Sequence, residues 1–457
     1  MAGIGFELRH MLRKNTLSSV LQAYAYAGVI GSGPWVFSII GVLLVGIFSV
    51  GVIAPPLLIT QFQTSVTYLV AFSLILTGPA QLAFTRFISD RLFLKQDSVV
   101  MPNLHGLLLV IVALAAMFGG ITLFTLLSEQ SFLYRILMLA GFTLMCMVWT
   151  MAVLLSGLKQ YKAITALFAF CYALIVVLAL PLRHWGLEGL LISFICGHAL
   201  LVAGMWSLIL KSFPLPERWI SFDFSKRSMI FPSLLAIGLL YNMAIWMDKI
   251  MFWYFLPTSQ PIIGGLRASL IYDIPVFLSY LSIIPGMAVF LVRIETDFVE
   301  YYDKFFNAVR EGGSLEFIES MRNEMVYSIQ TGLSEIAKIQ TIAVLVTFVA
   351  GPALLELLGI SQLYLPLLHV QVVGTGLQVG VMAVLNIFFY LNERRIILML
   401  CTLMLVLNVA FTAVSLALGA AFYGYGFTLA MLVTLCVGLV CLTRSMDRLE
   451  YRTFMLQ

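Results

Sequence analysis

The sequence predicts an all-α polytopic membrane protein: about twelve transmembrane helices that form two pseudo-symmetric six-helix bundles around a central cavity. Its residues are 61% apolar and only 11% charged, whereas roughly 25% of the residues of a soluble domain are charged. Apolar runs of about 20 residues, the length that crosses a bilayer core, recur along the whole chain. Short motifs also recur in the same order in both halves, which indicates an internal duplication.

Twelve apolar runs are predicted to cross the membrane. They are 21–48, 62–84, 104–127, 132–156, 163–182, 187–210, 228–255, 269–292, 336–358, 363–391, 396–420 and 422–442. This count places 22 of the 26 Lys and Arg residues in the segments on one side and three in the loops on the other. Because basic residues concentrate in cytoplasmic loops, we expect both termini to be cytoplasmic.

The N-terminal segment 1–19 is basic and leads directly into a full-length span, so no cleaved signal peptide is predicted. Ile4, Leu8, Met11 and Leu12 share one helical face, which is typical of an interfacial helix on the inner leaflet. The six cysteines lie inside the spans without metal-type spacing, so no metal site is expected.

The repeat is visible at the ends of the second and eighth spans. "AFTRFISD" (83–90) matches "FLVRIETD" (290–297), and "LKQYKAI" (158–164) matches "LNERRII" (391–397). Helix-perturbing pairs precede the first motif in each half, as Gly78-Pro79 and Pro285-Gly286. Two six-span repeats are therefore expected over 20–215 and 216–457, as in transporters whose parallel repeats enclose a cavity.

A cytoplasmic insertion at 295–335 distinguishes the second half. It holds nine acidic and three basic residues and carries two amphipathic stripes. Gly312 and Gly313 are predicted to end the first helix, and Ser314 to cap the second. The anionic inner leaflet repels such a segment. One interpretation is therefore a docking surface for a cytoplasmic protein, with Phe298, Phe305, Glu316, Glu319 and Glu324 as its candidate residues. The other is an acidic solvated face that folds back on the transporter itself.

No nucleotide-binding loop, zinc-protease motif or paired-cysteine motif is present, so the sequence indicates neither an enzyme nor an ATPase, and no cofactor. Transport would be driven by an ion gradient, by the substrate's own gradient or by a partner. The small net charge of +4 follows from membrane topology, so no nucleic-acid partner is expected.

Asp248 and Lys249 stand inside the seventh span, where ionisable residues are functional candidates by default. Neighbouring residues on a helix do not face each other. We therefore expect Asp248 to face a water-filled cavity or another cation such as Arg267, and Lys249 to extend toward the outer surface. Asp248 either binds a proton, a cation or a sugar in the transport cavity or belongs to a structural ion pair.

Further polar and aromatic residues are candidates for the same cavity, each with packing as the alternative. These are Tyr241, Asn242, Asp273 and Trp35.

The matched pairs Arg86 with Asp90 and Arg293 with Asp297 lie at the inner ends of the second and eighth spans. They are predicted either to anchor these ends at the inner leaflet or to form a cytoplasmic gate.

Several long strings carry a family resemblance over essentially the whole chain. "MAGIGFEL", "QAYAYAG", "YDIPVFLSYLSIIPGMAVFLVRIETDF" and "AVREGG" resemble the Pel exopolysaccharide transporter family (PelG) of the multidrug/oligosaccharidyl-lipid/polysaccharide (MOP) exporter superfamily. The resemblance implies a twelve-helix, two-bundle fold and export of an N-acetylgalactosamine-rich biofilm polymer. Implied partners are the cytosolic glycosyltransferase PelF and the membrane proteins PelD and PelE. A cation-coupled antiporter, a lipid-linked oligosaccharide flippase and a membrane scaffold that has lost transport remain alternatives.

Overall fold

The computed structural model describes residues 11, 16–49, 56–158, 160–214, 218–226, 229 and 231–455. The predicted interfacial helix within 1–19 lies almost entirely outside these residues. The helices are α1 Leu17–Ser49, α2 Pro56–Phe93, α3 Val100–Leu126, α4 Phe132–Gly157, α5 Tyr161–Leu182, α6 Gly186–Ser212, α7 Pro232–Tyr254, α8 Leu270–Leu281, α9 Ile284–Val292, α10 Val299–Glu311, α11 Leu315–Leu357, α12 Leu365–Tyr390, α13 Arg394–Leu418, α14 Tyr425–Asp447 and α15 Leu449–Met455.

The predicted class, an all-α polytopic membrane protein, is confirmed. Within the described ranges, ten helices are long and apolar enough to cross a membrane, or eleven if the two segments of the bent α1 count as one span. One of the ten, 161–212, contains both α5 and α6, joined by the 3-10 turn Arg183–Trp185. Each of the twelve predicted spans therefore has a helical counterpart, and α8 and α9 together form the eighth.

The helices fall into two compact units. The first unit is Gly33–Leu270, and the second unit consists of Met1–Ser32 together with Ile271–Gln457. These differ from the predicted ranges 20–215 and 216–457 because α7 packs on α2 in the first unit and the beginning of α1 packs on α9 in the second. A Cβ atom on Gly238 of α7 would lie 2.2 Å from the carbonyl oxygen of Gly78 in α2. In the second unit a Cβ atom on Gly28 of α1 would lie 3.5 Å from the Cβ of Ala288.

A short β-hairpin follows α7, with strands β1 Gln260–Ile263 and β2 Leu266–Ala268 in antiparallel register. Two hydrogen bonds hold the hairpin against helices of the first unit. The Gln61 side-chain amide donates to the Ile262 carbonyl at 3.1 Å, and the Gly265 amide donates to the Leu126 carbonyl at 2.9 Å. No β-hairpin was predicted from the sequence at this position.

The segment between α6 and α7 is anchored to the start of α3. The Asp223 carboxylate accepts hydrogen bonds from Lys226 at 2.5 Å, from Ser221 at 2.6 Å and from Asn103 at 3.2 Å. These donors, led by Lys226, lower the pKa of Asp223 to about 2 because they stabilise the charged form. Asp223 thus holds the connecting segment through its negative charge.

The acidic insertion forms a helical hairpin, which we call the arm: α10 and the part of α11 before Ile336. Gly312 ends α10 in the left-handed conformation with a φ of 70°, and the Ser314 hydroxyl caps α11 by accepting from the Phe317 amide at 3.3 Å. The predicted break at Gly312-Gly313 and the predicted cap at Ser314 are confirmed. α11 continues without interruption into the ninth span, for 43 residues in all.

Candidate functional site

The charged pair of α7 is enclosed in the first unit. Asp248 is 0% exposed and Lys249 is 4% exposed. The Lys249 ammonium donates to both carboxylate oxygens of Asp248 at 3.1 Å and to the Ile245 carbonyl, one turn back, at 2.9 Å. The pair is therefore a hydrogen-bonded internal ion pair.

Two expectations about this pair are wrong. Asp248 and Lys249 do contact each other although they are adjacent in sequence, and Lys249 turns back toward Ile245 rather than outward. The reason is the reach of the lysine stem, whose four methylenes carry the ammonium over the preceding turn, the direction in which helical side chains lean. Neither charge reaches an open water-filled cavity in this structure.

Aromatic rings surround the C-terminal end of α7. Trp253 stacks on Tyr68 of α2, with ring centroids 4.5 Å apart, and lies 6.3 Å from Trp246. The Tyr68 hydroxyl donates to the Arg267 carbonyl at 2.8 Å, and the Arg267 guanidinium donates to the Ser259 hydroxyl at 2.8 Å. Both tryptophans are buried, so their rings pack the interior and are not available for stacking on a sugar in this conformation.

The remaining cavity candidates lie on three different helices. Tyr241 and Asn242 lie about two turns before Asp248 on α7, both partly buried, and the Asn242 amide donates to the Gly238 carbonyl at 2.8 Å. Asp273 lies in α8, in the other unit, and is also partly buried. Trp35 lies within α1, and its side chain is outside the described residues. Their role in a cavity stays a prediction.

The matched arginines have different environments in the two units. Arg86 pairs with Asp90, one turn later on α2, at 3.2 Å, and both side chains are exposed. Arg293 makes the same contact with Asp297 at 2.8 Å and also binds Glu335 of α11 through two bonds of 2.6 and 2.9 Å. Glu335 was missed as a partner because nothing in the sequence indicates that α11 returns to this position. A gating role for these pairs stays a prediction.

A π-helical turn, Arg293–Phe298, connects α9 to the arm. Within it, the buried Glu295 carboxylate accepts from the Asn386 amide at 2.6 Å and from the Tyr390 hydroxyl at 2.7 Å. Single π-turns inside helices are often found at functional sites. This cluster of Glu295, Asn386 and Tyr390 was not predicted from the sequence. A π-turn places one extra residue in a helical turn, and the periodicity of apolar residues does not reveal it.

The structure of the arm contradicts part of the predicted docking surface. Phe298 and Phe305 are 0% exposed and pack inside the hairpin and its base, where Phe298 lies 5.6 Å from the Tyr390 ring. Their predicted role in a docking surface is therefore wrong, since their rings are not available to a partner. Acidic and apolar side chains are exposed along the rest of the hairpin, namely Glu316, Glu319, Glu324, Leu315, Phe317 and Tyr327.

No metal centre is formed by the part of the chain that the structure describes: it contains no group of three or more His, Cys, Asp or Glu side chains able to hold an ion. The candidate features are therefore a buried ion pair, the arginine pairs at Arg86 and Arg293, and an acidic arm. They lie on a scaffold of helices that are long and apolar enough to cross a membrane.

Comparisons with solved structures identify the scaffold. A multidrug-resistance transporter of the MATE family and the MOP superfamily, in an outward-facing conformation, is 15% identical and covers 94% of this chain and 96% of its own, with a TM-score of 0.66. A MATE in complex with MaL6 matches with the same identity and coverage and a TM-score of 0.67. A MOP-superfamily transporter from Pyrococcus furiosus is 14% identical, with coverages of 93% and 96% and a TM-score of 0.64. The fold is that of the MOP transporters.

The sequence model of the PelG family, described as "Putative exopolysaccharide Exporter (EPS-E)", matches residues 1–454. The chain belongs to the PelG family. Among curated proteins, none matches the chain.

Proposed function

We propose that the protein exports the Pel polysaccharide, an N-acetylgalactosamine-rich biofilm polymer, across the bacterial inner membrane, with both termini in the cytoplasm. The observation that carries this proposal is the family match, which extends over residues 1–454 and therefore includes the arm. The MOP fold supports it because that fold belongs to transporters. The substrate and the direction of movement are parts of the proposal.

In this proposal α7 contributes the charged group that contacts the moving polymer. A buried ionisable pair inside a membrane is costly, and such residues mark substrate or ion pathways. Because the Asp248 side chain is 0% exposed, part of the packing around it must open before the carboxylate can accept hydrogen bonds from sugar hydroxyls.

The arm is proposed as the docking site for the cytoplasmic glycosyltransferase PelF, with PelD and PelE as further membrane partners. The segment Glu295–Glu335 carries nine acidic and three basic residues. Glu316, Glu319 and Glu324 are exposed on α11 beside the exposed ring of Phe317. An apolar group rimmed by acids suits a partner surface with basic residues around an apolar pocket.

Two alternatives from the same superfamily have a specific observation in their favour, the similarity of the fold to MATE transporters. One is a cation-coupled antiporter for small molecules, and the other is a flippase for lipid-linked oligosaccharides. The antiporter would move its substrate without a glycosyltransferase, and the flippase would require a lipid-linked donor.

The test uses cells that lack this chain but express the glycosyltransferase, supplied with radiolabelled N-acetylgalactosamine. We expect wild-type chain to restore labelled polymer outside the inner membrane, and Asp248→Asn to lower it at equal membrane levels. Polymer export that continues without the chain would refute the proposal. Wild-type export by Asp248→Asn would return Asp248 to a structural role. Proton-driven efflux of a small cation by the purified protein in liposomes would favour the antiporter.

The docking part has a separate test. Reversal of Glu316, Glu319 and Glu324 to lysine should reduce recovery of the glycosyltransferase with the tagged transporter. Reversal of Glu129 and Glu356, two exposed acids assigned to the outer side, is the matched control and should leave recovery unchanged. Equal recovery from both sets of variants would exclude the arm as the docking site.

A further inference from the structure

A groove lies on the second unit, between the beginning of α1, α9 and α11. Its volume is about 650 Å³, within the range of sites that hold drug-sized molecules. Its lining residues are Tyr24, Ala25, Gly28, Val29, Ile284, Pro285, Ala288, Val289, Glu335, Lys338 and Ile339. Only Tyr24, Glu335 and Lys338 carry polar side-chain groups, so the groove is an apolar trough with polar groups from α1 and α11.

The apolar part of the groove opens toward hydrocarbon. The α11 positions that line it, 335, 338 and 339, continue along the same helical face as 342, 346 and 349. The residues at these later positions are aliphatic and exposed, and Val349 is 84% exposed. A helix that spans a membrane places such a face against lipid tails. The groove is thus continuous with a surface that lipid covers.

The exposed face of α11 that runs from the rim of the groove to Val349 is about as long as one leaflet is thick. Lys338 and Val349 are eleven residues apart on a continuous helix, which corresponds to about 16 Å at 1.5 Å per residue. The hydrocarbon core of a bilayer is about 30 Å thick, so this distance is about half of it. An acyl chain that begins at Lys338 would therefore end near the bilayer midplane.

The polar rim carries an exposed cation. The Glu335 carboxylate is occupied by the bidentate bond to Arg293, whereas the Lys338 ammonium is exposed at the mouth of the groove. An ammonium near the membrane surface attracts phosphate groups.

We propose that this groove is a phospholipid site. One acyl chain lies in the trough formed by Ala25, Val29, Ala288 and Ile339, and the phosphate of the same lipid binds the Lys338 ammonium, in the leaflet on the side of the arm. The site belongs to the second unit alone, and it does not depend on the identity of the exported substrate.

The test measures phospholipid that stays with the purified protein. Wild-type protein and three variants are extracted in a mild detergent, washed extensively and examined by native mass spectrometry and by phosphorus analysis. Ala25→Trp fills the trough. Lys338→Gln removes the charge at its rim. Val349→Trp is the matched control, because it places the same indole on an exposed position of α11 beyond the groove.

We expect the wild-type protein to keep about one phospholipid per chain. Ala25→Trp should lower the retained lipid about tenfold, a loss of 1.4 kcal/mol, Lys338→Gln should lower it about fivefold, and Val349→Trp should behave as wild type. Absence of bound lipid in the wild type, or equal retention by Ala25→Trp and the wild type, would overturn the site. Equal retention by Lys338→Gln would overturn the phosphate contact.

Discussion

Removal of the ammonium from the enclosed pair of α7 should destabilise the protein more than removal of both charges. Lys249→Met keeps the apolar stem of the side chain and deletes the group that donates to both Asp248 oxygens and to the Ile245 carbonyl. The Asp248 carboxylate, 0% exposed, then loses this cation without gaining water. Loss of one partner of a buried pair costs about 3–5 kcal/mol.

The double variant Asp248→Asn/Lys249→Met removes both charges and nearly preserves the volume. Replacement of a whole buried pair is often close to neutral, so we expect it to be about 2 kcal/mol or more closer to the wild type than Lys249→Met is. The free energy of unfolding is measured by titration with a denaturing detergent in mixed micelles, followed by tryptophan fluorescence. Lys211→Met, at an exposed lysine, is the control and should change little.

Two results would refute this reasoning. If Lys249→Met changes the unfolding free energy by less than about 1 kcal/mol, the ammonium contributes little to the stability of the buried carboxylate. If the double variant is as unstable as the single one, the cost arises from packing around α7 rather than from charge.

Three further outcomes are expected. Gly238→Ala should lower the thermal unfolding temperature, because the added Cβ atom would lie 2.2 Å from the carbonyl oxygen of Gly78. Gly120→Ala is the control: its Cβ atom would have no neighbour within 4 Å, so its unfolding temperature should be unchanged or slightly raised. Folding lowers the pKa of Asp223 from 3.8 to about 2. The stabilisation by the charged carboxylate is therefore present above pH 4 and lost as the pH falls toward 2. In Asp223→Asn the melting temperature should depend less on pH between pH 4 and pH 2 than it does in the wild type. Tyr390→Phe removes one of the donors to the buried Glu295 carboxylate, so hydrogen exchange at the π-turn should accelerate while exchange in α3 stays unchanged.

The sequence was sufficient for the features that depend on local chemistry. The spans follow from runs of apolar residues, and the arm follows from two amphipathic stripes separated by Gly312 and Ser314, whose cap geometry the structure reproduces. The glycines at 78 and 286 were noticed only for the prolines beside them. In the structure a Cβ atom at either position would collide with a neighbour. At Gly78 it would lie 2.5 Å from the carbonyl oxygen of Gly238, and at Gly286 it would lie 2.3 Å from the side-chain oxygen of Gln340.

The contacts that depend on tertiary structure could not be predicted from the sequence. The position of Lys249 depends on a rotamer that packing selects, so helical geometry alone gave the wrong partner for Asp248. The contact of Arg293 with Glu335 joins residues 42 positions apart, and that of Glu295 with Tyr390 joins residues 95 apart. Neither separation leaves a periodic signal in a single sequence. The groove beside α9 is formed by three helices at once, and no pattern in a single sequence shows that these helices come together.

The uninterrupted helix α11 has a mechanical consequence. Its 43 residues give a rod about 64 Å long, about twice the hydrocarbon thickness of a bilayer. Between Leu315 and Gly351 it contains neither proline nor a break, so the arm has no joint at the membrane surface on this side of the hairpin. A force applied to the tip of the arm therefore tilts the buried segment as well, and a tilt of about 5° would move the tip of such a rod by about 5 Å.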